Sequence, residues 1–431
     1  MGRYEPSFPT SRVHRGPLLH GAPSRPSKRT PTKPRGLARL SLILTTISLL
    51  LAQLPAPAVA QDSGEEASPR VSMSGFLSFS AVAQDRLFTP GKGQNAQVVA
   101  AVQDGPDGWW HTADVRNTRL LFHVDGGRVG EWQATGLLEM DLFGGFPSGE
   151  SFDREQAYPR LRLAYLDLQR GPTRIRLGQD WAPLSHDSPE SVNRLAFPPG
   201  WASSGVIGWR FPGVFLSHRI PFLEGSTLTF HGAAMRGDWI GDADDPERPS
   251  AGEATLVPQV EVAVELASQD GEWPWTFTVG GHADRKEAPA PTQASEPSGW
   301  AVSAHGRMEP GPWTILAGAY RGRAIGHLGG HVAQLADIRG AGAWIQAGYA
   351  LPAGWSIWGF GGVDSPDSED IGSGGILQNQ TSLLMLRHDA GRFSTGLEWQ
   401  HVRTDRWSDG VGSPRQRRGG NQLSLGVLLG F

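Results

Sequence analysis

From Val71 onward the chain alternates apolar and polar residues in segments of about ten, a period of two that β-strands satisfy and helices do not. Glu131 to Leu142 sets Trp132, Ala134, Leu138, Met140 and Leu142 against Gln133, Thr135, Glu139 and Asp141. Gln259 to Leu266 sets Val260, Val262, Val264 and Leu266 against Gln259, Glu261 and Glu265, and Trp273 to Asp284 sets Trp273, Trp275, Phe277 and Val279 against Thr276, Thr278, His282 and Asp284. In a soluble sandwich the apolar side packs on a second sheet; in a barrel it faces lipid. Alternation alone leaves both open.

The connections separate them, because short and long ones take turns along the chain. Short turns carry Gly and Pro signals, as in Asp125-Gly126-Gly127-Arg128, Arg170-Gly171-Pro172 and Glu309-Pro310-Gly311-Pro312. Longer polar loops lie between them, among them Asp85 to Ala113, Ala182 to Ser204, Arg285 to Ser298 and Ile325 to Ile338. Seven turns and eight loops make fifteen connections, which predicts an all-β, transmembrane antiparallel barrel of about 16 strands with both ends on the short-turn side. The count takes Gly205 to Ile220 as one strand bent near Pro212. Tryptophans add a second signal. Trp132, Trp273, Trp313 and Trp355 follow short turns, while Trp181, Trp239, Trp300 and Trp407 border long loops, the arrangement of two interfacial girdles.

Three segments follow. Residues 1–60 read as an export signal: basic residues from Arg25 to Arg39, an apolar run from Leu40 to Leu54, and Ala58, Val59 and Ala60 before the expected cleavage. Residues 61–69 read as a short periplasmic segment and 70–431 as the barrel. Without residues 1–60 the chain keeps 30 Lys+Arg against 42 Asp+Glu, an acidic balance that disfavours a nucleic-acid partner. It has no cysteine, so no disulfide reinforces it. The last segment alternates Leu423, Leu425, Val427, Leu429 and Phe431 with Gln422, Ser424, Gly426 and Gly430. This resembles the terminal strand of outer-membrane barrels, whose final Phe is read by the barrel-assembly machinery.

Enzyme signatures are sparse: no phosphate-binding loop, dinucleotide fingerprint or His-Glu-x-x-His pattern appears. Ser185, His186 and Asp187 are consecutive and would point apart on an extended loop, so they do not read as a catalytic triad. The acidic runs Asp364, Asp367, Glu369, Asp370 and Asp242, Asp244, Asp245, Glu247 lack calcium-loop spacing and read as solvated loop charge. No enzyme activity, cofactor or metal site is expected. The informative set is arginine. If Leu120, Phe122 and Val124 face lipid, Arg119 and His123 face the lumen; likewise Arg160 and Arg162 lie opposite Leu161 and Leu163, and Arg174 and Arg176 opposite Ile175 and Leu177. Such a ladder has two readings. It sets a transverse field in a wet constriction, with Asp187 and Glu190 as facing counter-charges. Or it pairs with Glu131, Glu139 and Asp141 and holds the wall together.

Asp114 to Val124 (DVRNTRLLFHV), Gly136 to Gly144 (GLLEMDLFG), Leu161 to Leu168 (LRLAYLDL) and Leu177 to Trp181 (LGQDW) resemble, in order and spacing, the early strands of trimeric porins of the DcaP-like group. The resemblance implies a sixteen-stranded homotrimer in the outer membrane, in contact with lipid and lipopolysaccharide, that passes small hydrophilic solutes. It implies an inward-folded third outer loop over Ala182 to Ser204 and an arginine-lined pore leaning toward anions. Glu131, Glu139, Asp141, Glu261 and Glu265 also face inward by parity and oppose that preference. The other readings are an outer-membrane hydrolase of phospholipase type, which needs a Ser and a His near the rim, and a structural or adhesive barrel.

Overall fold

The computed structural model describes residues 69–101, 107–146, 155–185, 187–223, 225–238, 248–268, 273–287, 297–408 and 412–431. The export signal, residues 61–68, His186, Trp239 and the acidic cluster Asp242 to Glu247 lie outside the described residues.

The strands in chain order are β1 (Arg70–Gln84), β2 (Phe88–Pro90), β3 (Ala96–Val99), β4 (Trp110–Asp114), β5 (Arg119–Val129), β6 (Trp132–Asp141), β7 (Arg160–Arg170), β8 (Thr173–Trp181) and β9 (Arg210–Phe222). They continue with β10 (Ser226–Met235), β11 (Gln259–Ser268), β12 (Trp275–Ala283), β13 (Trp300–Met308), β14 (Trp313–Arg323), β15 (Arg339–Ala350), β16 (Trp355–Pro366), β17 (Ile376–Ala390), β18 (Phe393–Trp407) and β19 (Arg415–Gly430).

From β5 to β19 each strand pairs antiparallel with the next, and β1 pairs with β19 from Phe76↔Gly430 to Gln84↔Gln422, which closes the sheet on itself. Both β4 and β5 pair with β1, at Ser80–Gln84 and at Arg70–Phe76, and so share one place in the wall. The result is a closed antiparallel barrel of sixteen wall positions. Closure leaves no unpaired edge. Phe431 extends the seam: its N–H donates to Gly75 O at 3.0 Å and its own carbonyl accepts from Gly75 N at 3.3 Å.

Alternation sorts the side chains as the strand period requires. On β11, Val260, Val262 and Val264 are exposed while Gln259, Glu261 and Ala263 are buried; on β19, Leu423, Leu425 and Leu429 are exposed while Gln422 and Ser424 are buried. An exposed apolar outer face over a polar inner one is the profile of a sheet whose outside meets hydrocarbon. Trp273, Trp300, Trp313, Trp355 and Trp399 stand exposed among it.

Two local departures from simple parity matter. The pairing of β6 with β7 skips a residue between Glu139↔Leu163 and Met140↔Leu161, so Arg162 sits in a bulge. That bulge turns Leu163, expected on the lipid side, into a buried residue. The second departure is in β9, which begins at Arg210 and not at Gly205. Gly205 and Gly208 have φ of 90° and 116°, and Gly208 N donates to Leu328 O at 2.7 Å, so this stretch turns away from the ladder. The third long connection therefore runs over 182–209.

The first long connection, read from sequence as a plain loop, contains the β2–β3 hairpin. Val99 N donates to Thr404 Oγ1 at 2.9 Å and Gln400 Nε2 to Ala96 O at 3.0 Å, which ties the hairpin to the inner-facing residues of β18. Apolar clusters form where connections meet the wall. Leu184, Ile207, Ile325 and Leu328 pack with Phe211 and Met235, and Val192 and Val206 pack with Trp344, Trp358, Phe360, Leu383 and Met385. Each fully buried side chain of this size contributes roughly 1.5–3 kcal/mol.

Candidate functional site

Residues from β5 to β9 build a charged patch on the inner wall. Arg160 grips Asp141 with two bonds, Nε to Oδ1 at 3.0 Å and Nη2 to Oδ2 at 2.6 Å. Arg162 bonds Glu139 and reaches Asp141 Oδ2 through Nη1 at 3.0 Å. Arg119 Nε lies 3.4 Å from Glu139 Oε1, and its Nη2 donates to Leu195 O at 2.9 Å. These three arginines are thus matched to two carboxylates on the adjacent strand. Charged bidentate pairs of this kind fix geometry as well as charge. Aromatic faces complete the packing: Arg160 lies over Phe143 and Phe197, and Arg210 over Trp181 and Trp209 at 4.8 and 4.3 Å.

Arg174 and Arg176 differ. Both reach Asp167 Oδ2, at 3.2 and 2.9 Å, and Arg176 also bonds Asp180, but the Arg174 side chain is 48% exposed. A cavity of about 290 Å³ bounded by Asp180, Trp181 and His231 and another of about 410 Å³ bounded by His123, Asp125 and Tyr165 both include Arg174 and Arg176 in their walls. These two guanidinium groups therefore border open space on two sides.

The 182–209 connection is bonded to buried polar side chains of β11, β15, β17 and β18. Leu184 N donates to Glu261 Oε2 on β11 at 2.9 Å. Glu190 exchanges two bonds with Gln346 on β15, at 2.6 and 2.8 Å. Glu398 on β18 accepts from Ser191 Oγ, Val192 N and Asn193 N at 2.7 to 3.1 Å. Arg194 donates to Gln400 at 2.8 Å, Ala196 N to Gln94 at 2.8 Å, and Ser204 Oγ meets Thr381 Oγ1 on β17 at 2.7 Å. Burial pulls the Arg194 guanidinium down to about 10, with Glu398 opposing the shift. Close backbone approach needs glycine at two points. A Cβ on Gly205 would stand 2.6 to 2.8 Å from the Ala343 backbone, and one on Gly362 would stand 2.3 Å from Ser204 O.

Neither Asp187 nor Glu190 forms an ion pair with the early-strand arginines among the described residues. Glu190 instead meets Arg307 of β13 and Arg387 of β17, at 3.5 and 3.4 Å. Asp187 borders a small cavity together with His305 of β13 and Trp344 of β15. Glu131 pairs with Arg170 at the short-turn end, where both are exposed. His123 Nε2 lies 3.3 Å from Ser74 Oγ. In the acidic run, Asp370 is gripped by Arg339 at 2.9 and 3.1 Å, and buried Asp364 accepts from Tyr320 OH at 2.8 Å.

No family profile and no curated protein matches the sequence. Solved structures do. The outer membrane channel DcaP of Acinetobacter baumannii superposes with a TM-score of 0.62 at 14% identity, over 85% of this chain and 98% of that one. The anion-selective porin from Comamonas acidovorans gives 0.54 at 13%, over 84% and 100%. OmpT of Vibrio cholerae, in-vitro folded and in trimer form, gives 0.50 at 10%, over 84% and 99%. The chain has the porin fold.

Several residues of this site lie beyond what the sequence pattern predicts. Of the counter-charges of Arg176, Asp180 was legible because it shares the parity of Arg174 and Arg176, but Asp167 was not, since the parity of Leu161 and Leu163 puts it outside and only the bulge at Arg162 brings it in. Arg210 was hidden by the misplaced start of β9. Gln94, Gln346 and Glu398 carried no motif, because an anchor for a loop needs only one polar atom at the right height on the wall.

Proposed function

We propose that this chain is an outer-membrane porin: a water-filled channel for passive diffusion of small hydrophilic solutes, with anions favoured. The observation that carries this reading is the pairing of a closed, outwardly apolar barrel with cavities that meet at Arg174 and Arg176. In this reading the 182–209 connection folds inward as the constriction, supported by its bonds to β11, β15, β17 and β18. Arg119, Arg160 and Arg162 with Glu139 and Asp141 hold its base to the wall. Arg174 and Arg176 present the field that solutes meet, and Asp187 and Glu190 stabilise the loop's far side. Residues 1–60 act as the export signal. The protein assembles as a trimer in a lipid and lipopolysaccharide bilayer, in keeping with the trimer form described for OmpT.

Purified protein in planar bilayers tests the reading: stepwise conductance is expected, and its absence at any protein concentration overturns it. A hydrolase reading draws on the Ser74 and His123 contact, yet no carboxylate bonds His123 among the described residues to complete a triad. Ester hydrolysis lost in His123→Ala would favour that reading over the channel.

A further inference from the structure

At the long-loop end of the barrel, side chains from the end of β12 and from two connections converge in a buried cluster that the channel reading does not use. His282 is near the end of β12, Asp284 follows that strand, and His327 comes from the connection between β14 and β15. Their side chains are 0%, 3% and 3% exposed. Both imidazole Nε2 atoms approach one carboxylate oxygen, Asp284 Oδ2, at 3.2 Å from His282 and 3.3 Å from His327. The ligand atoms of the three residues all lie within 4.8 Å of one another.

The surrounding bonds orient these atoms. His282 Nδ1 stands 3.1 Å from Glu261 Oε1, so a proton on Nδ1 is held by a carboxylate and the Nε2 lone pair is turned toward Asp284. Gln259 Nε2 donates to Arg236 O at 2.8 Å, which fixes the amide so that its Oε1 faces His327 Nε2 at 3.2 Å. Asp284 Oδ1 accepts from Gly299 N at 2.8 Å. With the two Nε2 atoms unprotonated, the lone pairs of His282 and His327 and the oxygens of Asp284 and Gln259 form one set of acceptors turned on one another. A proton on an imidazole or the Lys286 ammonium balances that set in the absence of metal, and a metal ion can take the same place.

We propose that His282, Asp284 and His327, with Gln259 Oε1 as fourth ligand, form a structural site for a divalent transition-metal ion of the zinc class. The spacings of Asp284 Oδ2 to the two imidazoles and of Gln259 Oε1 to His327 fit: metal bonds of about 2.0–2.1 Å to nitrogen and oxygen in a tetrahedron put neighbouring ligand atoms about 3.3 Å apart. Two imidazoles select zinc-like ions over calcium or magnesium, which prefer all-oxygen shells. Burial of all three side chains suits a closed structural centre, which here would clip the end of β12 to the 324–338 connection. Lys286 is the built-in competitor. Its Nζ bonds both oxygens of Asp284, 2.6 Å from Oδ2, and supplies a charge that an incoming ion must displace or tolerate. The inference is independent of whether the barrel conducts.

The test uses the full-length protein in detergent, stripped with a chelator and titrated with zinc(II) and cobalt(II), with heat-modifiable gel mobility as the folding control. One ion per chain and the intense visible bands of tetrahedral cobalt are expected. Lys286→Gln tightens binding about tenfold or more, and Glu261→Gln, which loosens His282, weakens it by about 10–100-fold. His327→Ala abolishes the tetrahedral spectrum. Wild-type binding retained in folded His327→Ala overturns the site, as does the absence of tetrahedral cobalt bands in both the wild type and Lys286→Gln. Those last two proteins keep all the proposed ligands, so the outcome does not hang on a variant that fails to fold.

Discussion

Arg162 and Glu139 form an ion pair across β7 and β6 in which the two side chains are only 3% and 9% exposed. The bulge that places Arg162 there also brings its Nη1 to Asp141, so one guanidinium binds two carboxylates that Arg119 and Arg160 share. Breaking a buried pair from one side leaves a charge without compensation, at a cost of about 3–5 kcal/mol. Glu139→Ala should lower the unfolding free energy in urea by about 3 kcal/mol, the low end, because Asp141 still serves Arg162. The double variant Glu139→Met with Arg162→Met should recover most of that loss. A single-variant change below about 0.5 kcal/mol, typical of surface sites, would mean the patch adds little to stability.

Arg174 and Arg176 should govern ion selectivity more than Arg160 and Arg162 do, because both line the two cavities and Arg174, though paired with Asp167, is 48% exposed. A unit charge a few ångströms from a passing ion is worth about 1 kcal/mol in water-like surroundings. One such charge is worth about fivefold, so replacing both Arg174 and Arg176 by Gln should shift the cation-to-anion permeability ratio at least about fivefold toward cations at low salt, and less as salt screens the field. Reversal potentials across a salt gradient read this directly. An unchanged ratio would remove these arginines from the conduction path.

Glu398 holds three donors of the 182–209 connection with one oxygen. Glu398→Ala leaves Ser191 Oγ and the N–H groups of Val192 and Asn193 without that acceptor, at about 1–3 kcal/mol for each donor that stays buried and unsatisfied. The connection should lift from β18, giving a larger and noisier single-channel conductance and faster protease cleavage between 187 and 195. Conductance equal to wild type in a folded variant would show that this segment does not limit the pore.

How much of this was legible beforehand follows from what each feature depends on. The barrel and its sixteen positions were readable because side-chain alternation and connection length are local properties, and β11 and β19 follow the expected faces residue by residue. The same parity is the basis on which Arg160, Arg162, Arg174 and Arg176 are expected on the inner face. Parity failed where backbone irregularity intervened: the Arg162 bulge reversed Leu163, and the left-handed glycines at 205 and 208 delayed β9. The tertiary contacts of the connections were not readable. Glu190 was expected near the arginines of β7 and β8 but lies against Arg307 and Arg387, a choice set by long-range contacts of the 182–209 connection and not by any neighbour in sequence. His282 and His327 likewise stand 45 residues apart, with no motif spacing to announce them.

His331, in the 324–338 connection, gives the fold an acid-sensitive point. Its ring is fully buried, neither ring nitrogen has a hydrogen-bond partner among the described residues, and its N–H donates to Tyr320 OH at 2.8 Å. Burial pushes the imidazole down to about 4, with Asp370 opposing. The unfolded chain takes up this proton near pH 6.5 and the folded one only near 4, so between those values the unfolded state binds more protons and stability is lost as the pH is lowered. The full effect is about 3 kcal/mol, complete below about pH 4 and absent above about pH 6.5. Burial lowers His327 in the same connection and adds to the slope. Asp337 and Asp370, held below the usual carboxylate range by Arg323 and Arg339, lose their stabilising contribution only at still lower pH, where the carboxylates themselves protonate. Protease cleavage within 324–338, followed from pH 7 to pH 4 in the presence of a chelator, should rise in wild type. In His331→Gln the rise should shrink by about half, since His327 remains. An undiminished rise in that variant would locate the acid sensitivity elsewhere in the barrel.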